Sequence, residues 1–208
     1  MTTTVAVASR WRASPRRLAS LLFGLCVFGA GEACLVSSAL GNSPWSVFAQ
    51  GVAHQTPLSI GAATVATSFA LLLLWIPLRQ RPGLGTIANA VVIGVAIDAT
   101  LALLPDHALL AVRYLEVVAG IALVAVGSAF YLRSALGPGP RDGLMTGIHR
   151  VTGRPVALVR TGIELTALVV GVILGGRFGI GTVAFALTIG PAVTMALRLA
   201  GVSRPASL

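Results

Sequence analysis

The segment ALGNSP at residues 39–44 ends the first long apolar run of the chain, and 96 residues later it returns as ALGPGP at residues 135–140. The match extends to both sides, because 19 of the 64 residues between positions 31 and 94 are identical to those 96 positions further on. Many identities fall on Gly or Pro, where backbone geometry is constrained. Chance matching of two apolar segments would instead favour Leu, Ala and Val, so the pattern predicts two homologous halves.

The composition of the 208-residue chain identifies its class. Hydrophobic residues make up 56% of it, charged residues make up 10%, and the mean hydropathy is +0.91. A soluble domain carries about 25% charged residues, so this chain cannot form a water-facing surface. The composition predicts an integral membrane protein, which excludes a soluble enzyme, a disordered chain and a nucleic-acid-binding role for the net charge of +9.

Six apolar stretches are long enough to cross a bilayer, which requires about 20 helical residues. The predicted spans are Leu18–Leu40, Leu58–Leu78, Leu84–Leu104, Ala108–Leu132, Pro155–Leu174 and Phe178–Leu199. Each half of the repeat contains three spans, an odd number, so the second half must enter the membrane from the opposite side. Inverted repeats of this kind build many secondary transporters, with the substrate site at the interface between the repeats.

The predicted fold is therefore an all-α integral membrane protein with six transmembrane helices, arranged as two inverted three-helix repeats. A short helix follows the first span of each repeat. The predicted parts are a basic tail (1–17), the first repeat (18–104), the second repeat (108–200) and a C-terminal tail (201–208).

The arginines predict the orientation, because cytoplasmic loops of membrane proteins carry an excess of basic residues. About eleven arginines fall in the tails and loops on one side of the predicted spans, whereas Arg177 stands alone on the other. We therefore expect both termini to be cytoplasmic.

Two short segments follow the first and fourth spans. Ser43 is a predicted N-cap with Pro44 at the first helical position, and Pro140 takes the place of Pro44 in the second half. Each segment is too short to span a bilayer. It is either a re-entrant half-helix, whose N-terminus suits an anion or a carboxylate, or an interfacial helix with Trp45 as its aromatic anchor.

Charged residues inside the spans are the candidate functional groups, since each costs about 2.5–3.5 kcal/mol on insertion scales. Asp98 and Arg113 lie at similar depths on either side of a short turn and are predicted to pair. Glu116 lies three residues after Arg113 and shares its face. We interpret this cluster as a structural ion pair.

A second group of charges is the candidate substrate or ion path. Arg160 and Glu164 lie four residues apart on one face of the fifth span, and Glu32 has no arginine in its own helix. These three are predicted to form the polar interior, while Arg141 and Asp142 line a cytoplasmic entrance. The functional interpretation is a proton or cation relay or a polar substrate site. The structural alternative is a set of ion bridges that fix helix register.

Four segments carry a resemblance to a known family, namely residues 40–45, 79–86, 136–147 and 159–164. In them the chain resembles the YczE/YitT-type family of bacterial multi-spanning membrane proteins, and the YczE branch most closely, over about residues 18 to 200. Ser46 departs from the family pattern, which often has an acid there to match Asp142, and this weakens a symmetric two-acid site. The resemblance implies a plasma-membrane location and no particular reaction.

The sequence favours a secondary transporter of a small solute or ion, and leaves open a non-transporting accessory protein that assembles or stabilises another membrane complex. It contains no nucleophile–base spacing, phosphate-binding loop or zinc motif, so we expect no enzyme activity, no catalytic residue, no metal and no cofactor. The expected partner is the lipid bilayer, and nucleic acid is not expected. A homo-oligomer or an unidentified membrane partner stays open.

Overall fold

The computed structural model describes residues 10–105 and 109–201. Over these residues the chain forms eight α-helices and no strand, so the predicted all-α class is confirmed. The helices are α1 (Pro15–Ser38), α2 (Pro44–Gln55), α3 (Ile60–Leu74), α4 (Leu84–Leu101), α5 (Leu110–Ser134), α6 (Pro140–Thr152), α7 (Val156–Ile173) and α8 (Ile180–Leu199).

Five of these helices, α1, α4, α5, α7 and α8, are long and apolar enough to cross a membrane. The helices α2 and α3 meet that test only together, and they meet at a bend of 110°, so the pair is a broken span or a re-entrant loop. The predicted second span is therefore shorter as a helix, because α3 ends at Leu74 and the chain turns up to Arg79. The predicted start of the fourth span at Ala108 lies outside the described residues.

An antiparallel pair, α1 and α5, forms the centre of the molecule. A methyl group added to Gly24 would lie 2.8 Å from the carbonyl oxygen of Gly127, and one added to Gly31 would lie 2.7 Å from that of Gly120. Because only glycine fits at these positions, the two backbones approach closely, as small residues allow in membrane helices.

Both central helices end in the same backbone conformation. Ala39 after α1 and Ala135 after α5 are left-handed, with φ of 55° and 51°. Two residues later, Gly41 and Gly137 have φ of 115° and 123°, a region that side chains rarely adopt. The repeated Ala-Leu-Gly segment therefore makes the same turn twice.

Residues that lie 96 positions apart also make the same hydrogen bond with exchanged partners. The backbone N–H of Gly85 donates to the carbonyl of Leu136, and that of Gly181 donates to the carbonyl of Leu40, both at 2.9 Å. Each bond joins the first turn of α4 or α8 to the turn that follows the central helix of the other half.

The helix neighbours differ from the sequence prediction at one place. Both α4 and α5 pack against α1, and they make no extensive contact with each other. The predicted pair of Asp98 and Arg113 requires the third and fourth spans to be packed neighbours, and the structure does not place them so, although the connection between them is short.

The two halves differ in one helix pair. In the first half α3 packs along α4, whereas in the second half α7 packs against α2 and α6 and makes no extensive contact with α8. A methyl group added to Gly162 of α7 or to Gly190 of α8 would meet no atom of the described chain within 4 Å. The second half is therefore open where the first is closed.

Candidate functional site

The N-terminus of α2 is built around a buried carboxylate, Glu32 of α1, which is 2% exposed. Its Oε2 accepts hydrogen bonds from the hydroxyls of Ser43 (2.7 Å) and Ser46 (2.6 Å). Ser43 is also the N-cap of α2, with Pro44 at the first helical position, as the sequence predicts. A negative charge there is favoured by the positive end of the helix dipole.

Two buried oxygens beside this helix terminus have no hydrogen-bond partner among the described residues. They are Oε1 of Glu32 and Oδ1 of Asn42. The amide nitrogen of Asn42 does donate to Oε1 of Gln50 at 2.9 Å. Leaving a buried acceptor unpaired costs about 1–3 kcal/mol, so both oxygens are suited to accept a hydrogen bond from a water molecule or a polar solute.

The N-terminus of α6 places the cationic side chain of Arg141 against aromatic residues of α1 and α2. Pro140 is its first residue, and its carbonyl accepts a hydrogen bond from Nε1 of Trp75 at 2.9 Å. The guanidinium carbon of Arg141 lies 5.3 Å from the ring centre of Phe28 and 6.0 Å from that of Trp45. These are cation–π distances, and within the described chain Arg141 pairs with no acid.

A small crevice joins these elements and encloses about 40 Å³ between α2, α3, α4 and α6. Its lining carries one cation, three hydroxyls, one amide and no acid. The lining residues are Trp45, Ala49, Thr64, Thr67, Ser68, Leu71, Asn89, Ile93, Pro140 and Arg141.

The hydroxyls of α3 are site residues that the sequence analysis missed. Thr64, Thr67 and Ser68 have the spacing i, i+3, i+4, which places them on one face of an apolar helix. That pattern is the sequence signal that identifies them, and it is weaker than the signal of a charged residue because hydroxyls are common in membrane helices.

The side chains of Arg141 and Asp142 have different surroundings although the two residues are adjacent in the chain. Arg141 lines the crevice, whereas Oδ2 of Asp142 accepts a hydrogen bond from the hydroxyl of Tyr131 on α5 at 3.4 Å. Of the predicted entrance pair, only Arg141 therefore lies in the crevice.

The predicted polar interior does not assemble in this structure. Arg160 and Glu164 form an ion pair at 3.0 Å, as their spacing predicts, but their side chains are 45% and 40% exposed. The hydrogen bonds of Glu32 go to α2 instead. The structure therefore does not bring these three residues together, because Glu32 binds the start of α2 while Arg160 and Glu164 lie on an exposed face of α7.

The predicted pair of Asp98 and Arg113 is also wrong. The carboxylate of Asp98 accepts hydrogen bonds from the hydroxyl of Ser59 (2.5 Å) and the backbone N–H of Gly61 (2.8 Å), so it caps α3. The physical reason is that α4 faces α3 and α1, while Arg113 belongs to α5.

Glu116 ties the two central helices together. Its Oε1 accepts a hydrogen bond from the hydroxyl of Ser37 on α1 at 2.8 Å, and it is 8% exposed. In the described parts of the chain, no three His, Cys, Asp or Glu side chains are grouped so as to hold a metal ion.

The comparisons with known proteins identify the family. A model described as "Family of unknown function (DUF6198)" matches residues 15–198. The chain belongs to this family. The family member is 40% identical over 197 residues to an uncharacterized protein of Haemophilus influenzae, a match that covers 95% of this chain and 90% of the relative. No solved structure matches the chain.

Two relatives from Bacillus subtilis confirm the resemblance to YczE. The family member is 34% identical over 170 residues to the uncharacterized membrane protein YczE, covering 80% of this chain and 79% of the relative. It is 28% identical over 163 residues to the uncharacterized protein YyaS, covering 76% and 81%. Together with the apolar helices, these matches identify a membrane protein.

Proposed function

We propose that the protein is a secondary transporter of a small polar solute or ion in the bacterial plasma membrane, with both termini cytoplasmic. Its six spans form two inverted three-helix repeats, with the pair of α2 and α3 serving as one broken span. The exchanged hydrogen bonds of Gly85 with Leu136 and of Gly181 with Leu40 support this arrangement, because partners of this kind are related by a two-fold axis. Transporters built in this way carry their substrate between the repeats.

The observation that carries the proposal is the difference between two equivalent helix pairs. A methyl group added to Gly94 of α4 would lie 2.4 Å from the carbonyl oxygen of Gly61 on α3, whereas one at the equivalent Gly190 would meet no described atom within 4 Å. One half is thus closed and the other open. If α7 packed against α8 while α3 separated from α4, the protein would have a second state that is open on the opposite side of the membrane.

The sequence explains why the first half is the closed one. Asp98 of α4 holds the N-terminus of α3 through Ser59. The equivalent residues of the second half are Thr194 and Pro155. Thr194 has no carboxylate and Pro155 has no hydroxyl, so the bridge between Asp98 and Ser59 has no counterpart between α7 and α8.

The shift of 96 residues also indicates where the exposed ion pair of Arg160 and Glu164 would lie in the second state. Arg160 and Glu164 stand 96 residues after Thr64 and Ser68, which line the crevice. Closing α7 onto α8 as α3 is closed onto α4 would therefore bring the ion pair to a matching crevice. Their charges would then face a solute path, as intramembrane charges usually do.

The crevice favours a polar or anionic solute. Arg141 supplies the one cation of the lining, and the neighbouring hydroxyls of Thr67 and Ser68 can donate hydrogen bonds. A cationic solute would find no acid among the lining residues.

Cross-linking tests the second state. Ala157 and Thr194 are equivalent to Gly61 and Asp98, which touch in the closed half. With Cys26 and Cys34 replaced by Ala, we expect the Ala157→Cys/Thr194→Cys variant to react with a short bifunctional maleimide in native membranes. We also expect the cross-link to stop solute flux, because it holds α7 closed.

The matched control is Phe23→Cys/Phe130→Cys, whose native rings lie 5.0 Å apart across the central helix pair. It is expected to cross-link at all times. If the control reacts and the α7–α8 pair never does, with or without added solutes, the transporter proposal is contradicted.

A second candidate function is an accessory protein that stabilises another membrane complex. The exposed ion pair of Arg160 and Glu164 favours it, because a charged face within a span needs a polar partner. This candidate predicts that thiols at Ala157 and Thr194 react with a partner protein and never with each other.

A further inference from the structure

A cavity of about 480 Å³ lies between the start of α1 and the end of α5. This volume is in the range of sites that hold small ligands. Three of its lining side chains are arginines, Arg16, Arg17 and Arg133, and none is acidic. We call it the arginine cavity. It shares no lining residue with the crevice, so it is separate from the proposed solute path.

One of the three arginines is held in place by the backbone. Arg17 donates from Nε to the carbonyl of Ser134 (2.8 Å) and from Nη2 to the carbonyl of Ala135 (2.9 Å). It thereby satisfies carbonyls at the end of α5, where the chain leaves the helix. Arg16 and Arg133 are exposed, and neither makes a hydrogen bond or an ion pair within the described chain.

The cavity continues into an apolar surface. Phe23 is 53% exposed, and its ring contacts that of Phe130 edge-on with centroids 5.0 Å apart. Phe23 lies seven residues after Arg16 on α1, which is about 10 Å further along the helix. A ligand that fills the whole surface therefore has an anionic head and an apolar tail on the membrane side.

We propose that the arginine cavity binds the phosphate headgroup of an anionic membrane lipid, with an acyl chain over Phe23 and Phe130. Guanidinium groups bind phosphate through paired, charge-assisted hydrogen bonds. Basic pockets between transmembrane helices bind anionic headgroups in this manner. The two rings select the lipid over free phosphate, because inorganic phosphate has no apolar part to bury.

Lipid titration of the purified full-length protein in a neutral detergent tests this site. Phosphatidylglycerol is expected to bind saturably and to raise the temperature of thermal unfolding, whereas phosphatidylcholine and inorganic phosphate have no such effect. The Arg16→Gln/Arg133→Gln variant is expected to weaken phosphatidylglycerol binding by roughly tenfold or more, since each lost charge removes a charge-assisted hydrogen bond. Arg17 is left unchanged because it also supports the fold.

The matched control is Arg81→Gln/Arg154→Gln, which removes the same charge from exposed positions outside the cavity. It is expected to bind phosphatidylglycerol as the native protein does. An equal loss in both variants would overturn the proposal in favour of general attraction between charges. Inorganic phosphate that binds as tightly as the lipid would overturn it in favour of a free-anion site.

A further variant keeps the test independent of charge. Phe23→Ser leaves all three arginines in place and removes half of the apolar surface. We expect it to weaken phosphatidylglycerol binding severalfold and to leave the unfolding temperature of the lipid-free protein nearly unchanged, because the ring is half exposed. Unchanged lipid affinity in this variant would contradict the placement of the acyl chain.

Discussion

At the scale of single residues, Glu32 shows how the fold accommodates a carboxylate inside a membrane helix. Two serine hydroxyls donate to one of its oxygens, and one of these serines also caps α2. Both hydroxyls therefore depend on an acceptor at position 32.

This difference predicts the effects of two substitutions. Glu32→Ala leaves both serine hydroxyls without their acceptor, so it should lower the free energy of unfolding by about 3 kcal/mol. Glu32→Gln keeps a carbonyl oxygen in place and should cost about 1 kcal/mol. Denaturant titration of the purified protein in detergent measures both. Equal losses in the two variants would mean that the serines are not held by this side chain.

The sequence identified several of these residues because their signals are local. A hydroxyl before a proline predicts the N-cap at Ser43, and a spacing of four predicts the pair of Arg160 and Glu164. It failed for Asp98, because a helical pattern gives the faces of a helix and does not say which helix lies against each face. The true partner of Asp98, Ser59, is 39 residues away.

At the scale of helices, the hydrogen bonds that Asp98 of α4 accepts from the start of α3 keep these two helices packed together. Asp98→Ala removes the acceptor for both Ser59 and Gly61. We expect α3 to separate from α4 more often, so that a thiol at Val65, which faces Gly94, reacts about tenfold faster with a maleimide. Thr194→Ala, the equivalent change on α8, should leave the reactivity at Val65 unchanged.

Two outcomes would count against this role of Asp98. A thiol at Val65 that reacts at the same rate with and without Asp98 would mean that helix packing alone closes the first half. Equal acceleration by Thr194→Ala would mean that the effect spreads through the whole bundle and does not act at the α3 terminus.

The bend between α2 and α3 was only partly predictable from the sequence. Composition identified an apolar stretch near Leu58–Leu78, and the Ser-Pro pair identified the start of α2. The 110° bend depends on how α2 packs against α7 of the other half. Contacts of such long range leave no periodic pattern in the sequence.

At the scale of the whole molecule, the similar turns at residues 39–41 and 135–137 are part of the support for the proposed repeat. The close approach of Gly24 to Gly127 and of Gly31 to Gly120 fixes the central pair. The outer helices α3 and α7 occupy equivalent places in the proposed repeat, and only α3 has a carboxylate bridge to its neighbour. In the proposed repeat, this difference in polar residues accounts for the packing of α3 against α4 and the separation of α7 from α8.

The most direct test of the proposed exchange compares two equivalent positions, Ser68 in the crevice and Glu164 on α7. Each is replaced singly by Cys in the Cys26→Ala/Cys34→Ala background and labelled with a membrane-impermeant thiol reagent from each side. Without a cross-link, position 164 should react from the cytoplasmic side. When Ala157→Cys/Thr194→Cys is cross-linked beforehand, position 164 should become protected and position 68 should react from the outer side. Labelling that the cross-link leaves unchanged at both positions would contradict alternating access.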